Sequence, residues 1–335
     1  MRLQHVVSFT TASIAATLNS FMMYIIMRHS SEKIGRYKYF LFSYVLDAAL
    51  FSLAQFFILP NWVILDGGYI FISTVAVLPK MGQVCCITVW IALFEINLFV
   101  VCWSFWYRRA CVTESDFFEQ KKRFVILLFV NFCLLLFLTL NIVTIYPNER
   151  SDVFFSKLVE QLNNHSIEEI GYLGGPFFYP DHDLNWIMFA ALLIHGLFNC
   201  CVISFICYCW FRIGREIKAL QSLAHKKFQY RIYILLTIQT VLPIIFDSSP
   251  VILAFSLSVL QWHIGDWIQV TGMLICIAQT IDPICIAFVV ADYKRAILKM
   301  LRIQTVSSVV VYAGSGISSS SNVLQSVGPK NSSSV

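Results

Sequence analysis

Charge is what this sequence has least of. Only 13% of its 335 residues are Asp, Glu, Lys or Arg, about half the share that keeps an ordinary soluble domain wetted. With 58% hydrophobic residues and a mean hydropathy of +0.72, that scarcity excludes a large soluble core and points to a bilayer. An internal repeat is also missing, which argues against a transporter built from duplicated halves. The last apolar run has no Lys to form a retinal-type Schiff base. His195 is the one histidine plainly inside an apolar run, so no ligand triad assembles for a zinc-dependent membrane hydrolase. No catalytic residue, metal or cofactor is expected. The basic residues are spread along one membrane face, so no nucleic-acid surface is expected either.

Cysteine is present but in the wrong places for a disulfide framework. Ten of the eleven (Cys85, Cys86, Cys102, Cys133, Cys200, Cys201, Cys207, Cys209, Cys276, Cys285) lie in apolar runs and Cys111 in a basic loop. They read as small buried hydrophobes. A cleavable leader is not expected: the first apolar run is too long and lacks a charged leader and a small-residue cleavage site. It reads as a signal-anchor.

What the chain does have is apolar runs of membrane-crossing length: residues 6–27, 39–59, 84–107, 124–145, 184–211, 232–260 and 267–291. A hydrocarbon core of ~30 Å needs about 20 residues at ~1.5 Å each, and backbone in lipid must satisfy itself, so the runs are helices. The expected fold is all-α, a seven-transmembrane helix bundle. Of 24 Lys and Arg, twenty fall on one side; Arg2, Lys80, Arg150 and Lys157 make up the other. Positive charge stays inside, which puts the amino terminus outside and the carboxyl terminus in the cytoplasm. The longest exterior loop, 146–183, contains the sequon Asn164-His165-Ser166 on the side where it can be glycosylated. That loop is acidic and has Gly171, Gly174, Gly175 and Pro176, so it reads as solvated turns rather than a packed lid.

After the last span, Lys294, Arg295, Lys299 and Arg302 alternate with Ile297, Leu298 and Leu301, a short amphipathic helix suited to anionic lipid. Residues 1–303 form the expected receptor domain, and 304–335 a Ser-rich tail too polar and simple to fold. Its Ser333-Ser334-Val335 end suits strand addition to a PDZ-type groove.

Acids inside a bilayer cost several kcal/mol, of order 2.5–3.5 at a helix centre, and default to functional hypotheses. Counting from the inner charged edges, Asn19, Asp47 and Asp282 share one depth, about 14–15 Å from the cytoplasmic boundary. They form a candidate polar switch across spans one, two and seven, with Pro283 letting span seven bend. Glu95, Asp247, Gln279 and His195 lie higher, about 20–26 Å, where an outward-facing pocket belongs; Trp90, Phe94, Tyr69 and Phe246 supply apolar walls. A lone His195 equally suits a hydrogen-bonded packing role. Pro243 and Pro250 in span six allow its inner half to swing.

Four stretches carry a resemblance: GRYKYFLFSYVLDAALFSLAQFFILP at 35–60, SFWYRRA at 104–110, QTVLPIIFDSSPVIL at 239–253 and IDPICIAFVVADYKRAI at 281–297. Together, in this order, they resemble the Str/Srj group of nematode serpentine chemoreceptors, a branch of the G-protein-coupled receptors. The resemblance implies a chemosensory, olfactory-type receptor that binds an odorant or soluble cue and activates a heterotrimeric G protein, in the plasma membrane of sensory-neuron cilia. It also implies that Tyr107-Arg108 is the family's switch pair rather than a plain snorkelling arginine. Two departures stand out: Arg109 where a second aromatic is usual, and Asp247 where span six is usually apolar. The competing class is a ligand-gated cation channel subunit of the seven-span odorant-receptor type, which has its amino terminus inside.

Overall fold

The computed structural model describes residues 2–301, except 33, 66, 74–77, 114–120, 164–165, 180, 182 and 263–266. The sequon residue Asn164 and the tail from 302 lie outside the described residues. Each apolar run is a helix: α1 (Arg2–His29), α2 (Tyr37–Ile58), α3 (Lys80–Thr113), α4 (Lys121–Thr144), α6 (Trp186–Ala219), and α9 (Trp267–Val289). The sixth run is α7 (Leu223–Pro243) and α8 (Ser249–Val259), joined by one π turn, Ile244–Ser248. Six of these spans are long and apolar enough to cross a membrane alone; α4 brings the number to seven when taken with α5 (Glu149–Asn163), from which it is bent by 62°. α3 and α6, at 34 residues each, overrun their apolar stretches because intrahelical bonding continues into polar sequence. α3 sits centrally, touching α2, α4, α6 and α7. Apolar residues on the outer faces stay exposed, as Phe129, Phe132, Leu135, Leu140 and Val143 do along α4; in lipid that exposure is no cost.

Span six is interrupted where its sequence requires. Pro243 has no N–H and crowds the carbonyl one turn back, and the chain widens into the π turn directly after it. Such turns recur at functional positions in helices. Span seven behaves differently: α9 runs unbroken through Pro283. The interruption in this span comes at Val290, with extended backbone (ψ 107°) leading into α10 (Ala291–Met300). Tyr293 of α10 is fully buried, its hydroxyl 2.8 Å from Ser30 Oγ at the end of α1.

The segment expected outside corrects the sequence reading most. Residues 60–73 form a hairpin, β1 (Pro60–Leu65) and β2 (Gly68–Ser73), and β3 (Tyr172–Pro176) of the long loop adds to it as an antiparallel third strand. The loop is therefore packed rather than solvated. Gly174, at φ 150°, lies so close to the Tyr69 carbonyl and Ile70 Cα that a Cβ has no room. Its glycine marks a backbone approach, not a free turn. Gln83 at the start of α3 fastens this lid: its Oε1 accepts from Gly171 N at 3.0 Å and its Nε2 donates to Leu78 O at 2.9 Å. Lys80 Nζ donates to Ile167 O at 3.2 Å. Beside β3, burial and then the Asp152 carboxylate, which accepts its proton at 2.7 Å, raise the Tyr172 phenol well above its usual range.

Candidate functional site

Beneath the sheet lies a cavity of about 100 Å³. Its roof is Trp62, Tyr69 and Phe71 of the hairpin with Phe177 after β3; its walls are Trp90, Ile91 and Phe94 of α3, Leu138 and Asn141 of α4, Met188 and Leu192 of α6, and Val251 and Phe255 of α8. β2 carries aromatic and β-branched residues on both faces because both of its faces are buried. Trp90 is fixed by its own indole, which donates to Gln55 Oε1 at 2.7 Å. Two candidate pocket residues, Glu95 and His195, line this space. His195 Nε2 lies 3.5 Å from Glu95 Oε1 and 3.0 Å from Asn199 Nδ2, with Phe137 stacked on the ring at 5.4 Å.

The other two pocket candidates lie elsewhere. Asp247 and Gln279 are not among the lining residues and belong with the polar core of the bundle. Asp247 sits in the π turn, buried, within electrostatic reach of Asp282. Gln279 contributes its backbone. Pro283, four residues on, cannot donate to the Gln279 carbonyl, and Asn19 Nδ2 on α1 takes its place at 3.0 Å while also donating to Ala15 O at 2.9 Å. Asn19 therefore repairs the helix defect that Pro283 creates. Asp282 accepts from the Tyr44 hydroxyl at 2.5 Å, and that hydroxyl lies within electrostatic reach of Asp47, Asp247 and Asp282 together. Asn97 of α3 lies beside Asp47. One oxygen on each of Asn19, Asp47, Asp247 and Asp282 has no hydrogen-bond partner. The expected cluster of spans one, two and seven thus extends to spans three and six. Among the described residues no three His, Cys, Asp or Glu side chains converge as a metal ion requires. Sequence reasoning missed Tyr44 and Asn97. Tyr44 sits three residues before Asp47, on the same helix face, a spacing that marks it as a neighbour.

At the end opposite the sheet, Arg108 is buried. Its Nη2 donates to Gln229 Oε1 of α7 at 2.6 Å, and its guanidinium lies 5.2 Å from the centre of the Tyr37 ring, which in turn stacks on Tyr107. Arg109 points differently, 5.0 Å from the Tyr208 ring of α6. Next to Gln229 opens a larger cavity of about 730 Å³, lined by Tyr37, Lys227, Phe228, Arg231, Asp292 and Arg295 among others.

Residues 4–298 match the family described as serpentine type 7TM GPCR chemoreceptor Str. The chain belongs to the Str chemoreceptor family. It is similar to "G-protein coupled receptor str-217" of Caenorhabditis elegans, 24% identical over 325 residues, covering 89% of this chain and 90% of that one. As a Str receptor it is a multi-pass membrane protein of a non-enzymatic class, and the cation-channel alternative is not favoured. The Str match spans every element from α1 to α10, so both cavities and the polar core fall within it.

Proposed function

We propose that this Str receptor stands with its sheet outside the cell and α10 in the cytoplasm, binds a small external odorant or soluble cue under the sheet, and hands the event to a heterotrimeric G protein. The observation that carries this reading is the pair of cavities at opposite ends of one bundle, about 100 Å³ beneath the sheet and about 730 Å³ beside Gln229, the partner of Arg108. The orientation is supported by the excess of Lys and Arg on the α10 side. The outer cavity takes a small molecule between Glu95, His195 and the aromatic roof. The inner cavity, with Lys227, Arg231 and Arg295 around it, suits the acidic or amphipathic end of a signalling partner. Residues 1–303 act as the receptor and 304–335 as a cytoplasmic tail whose end suits a PDZ-type groove, in a sensory-cilium membrane.

Binding shifts a population only if the ligand prefers one state. In this reading the closed state is held by the Arg108–Gln229 bond between α3 and α7. The π turn is the pivot about which the inner half of span six leaves α3. Asn19, Asp47, Asp247 and Asp282 lie between the cavities and sense that rearrangement. The test is surface-displayed receptor in a G-protein dissociation assay against volatile and soluble compounds. At least one compound should give a saturable response, and Gln229→Ala should raise ligand-free signalling several-fold by releasing Arg108. Silence across the panel with proven surface display, and an unchanged baseline in the variant, would remove the reading.

A further inference from the structure

We propose that the cavity beneath the sheet selects a small organic cation, an amine carrying its proton, over a neutral odorant. The proposal rests on the reading above that this cavity takes the external ligand. Two features that the sequence left as competing hints, an acid and many aromatics, meet in one space. Trp62, Tyr69, Phe71, Trp90, Phe177 and Phe255 line it. Among themselves their rings are tilted or edge-on: Tyr69 and Phe255 are 4.7 Å apart at 79°, Trp62 and Phe71 5.2 Å at 34°, and Phe71 and Trp90 5.7 Å at 56°, while Trp90 stacks one face on Phe51. Ring faces that do not cover one another attract a cation within about 6 Å. An aromatic wall alone suits any apolar molecule; Glu95 decides the sign of charge.

Glu95 is 7% exposed and lines the same space. Its basic neighbour is His195 at 3.5 Å, and among the described residues no Lys or Arg stands within ion-pair distance of it. A carboxylate held inside a bundle without a fixed cation is costly, and a bound ammonium supplies the missing charge. Asn141 adds a second polar group: its amide nitrogen is engaged with Phe137 O at 3.1 Å, which leaves its oxygen to accept. An ammonium has N–H donors for both oxygens and a charge for the rings. A ketone or ester offers no donor to either, and a carboxylate ligand is repelled. Size sets the rest. A dry cavity of about 150 Å³ admits benzene, so about 100 Å³ suits an amine of a few carbons.

The test uses the full-length receptor in lipid nanodiscs at neutral pH, where alkylamines are protonated. Propylamine and isobutylamine are compared with their shape-matched alcohols, propanol and isobutanol, by quenching of tryptophan fluorescence and by thermal stabilisation. The amines should bind at least tenfold more tightly than the alcohols, and Glu95→Gln should abolish that preference while melting stays cooperative. Should that variant not fold, Phe255→Leu serves: it should weaken the amines several-fold and leave the alcohols nearly unchanged. Alcohols binding as well as amines, an unchanged preference in either folded variant, or no amine binding to folded receptor overturns the proposal. In cells, responses to neutral odorants with silence to amines would overturn it and leave the receptor reading intact. Amine binding without any G-protein response would do the reverse.

Discussion

Asn19 shows how much one side chain can decide. Its amide serves a carbonyl that Pro283, on another helix, leaves without a donor. Asn19→Ala should therefore cost about 0.6–2 kcal/mol, between the modest value of hydrogen bonds in membranes and the cost of an orphaned buried acceptor. Pro283→Ala restores the missing N–H, so the double variant should lose less than Asn19→Ala alone. Equal losses in thermal melts of the single and double variants would show the two residues to be uncoupled. The sequence announced that Asn19 and Asp282 share a depth, because depth follows from counting residues. It did not announce that the Gln279 backbone would be the partner, nor that Asp247 would turn to the core rather than the pocket. Both depend on how helices rotate about their axes, and rotation is set by neighbours that a single sequence does not place.

Among the elements, α10 is held by a contact that titrates. Burial is the main cause that raises the Tyr293 phenol to about 12, partly offset by its hydrogen bond with Ser30. A phenol whose folded pKa lies above its ordinary value near 10 favours the folded state fully below about pH 10. That contribution fades as pH rises from about 10 towards 12. Tyr293→Phe should cost about 0.5–1.5 kcal/mol for the lost hydrogen bond and should flatten the alkaline decline, which thermal melts across that pH window would measure. The amphipathic pattern of α10 was legible because polar and apolar residues alternate at helical spacing. The hairpin was not, because β1 and β2 are apolar on both faces and lack the two-residue alternation of a half-buried strand. The one local clue was Asp66-Gly67 between two β-branched stretches, the dipeptide of a tight hairpin turn; Gly67 does take a positive φ, 87°.

Taken as a whole, the bundle was readable from hydropathy, since seven runs can be satisfied in lipid only as helices. The proposed direction of insertion has a clean test. Asn164→Gln should remove an endoglycosidase-sensitive mobility shift, and an amino-terminal tag should be reached by antibody on intact cells. A tag reached only after permeabilisation would invert the receptor. The lid was illegible because it joins segments about 100 residues apart, β2 at Gly68–Ser73 and β3 at Tyr172–Pro176, and no local pattern records such pairing.

The way that lid is fastened bears on how the protein is made. Gln83 and Lys80 hold it through hydrogen bonds to backbone, and all eleven cysteines, Cys85 and Cys86 near the same end of α3 included, are free thiols. Nothing in the assembly of the sheet end therefore waits on thiol oxidation or on an isomerase to correct a wrong pairing. The receptor should leave the endoplasmic reticulum at its usual rate when dithiothreitol is added to the cells, a condition that stalls secreted proteins dependent on cystine bridges.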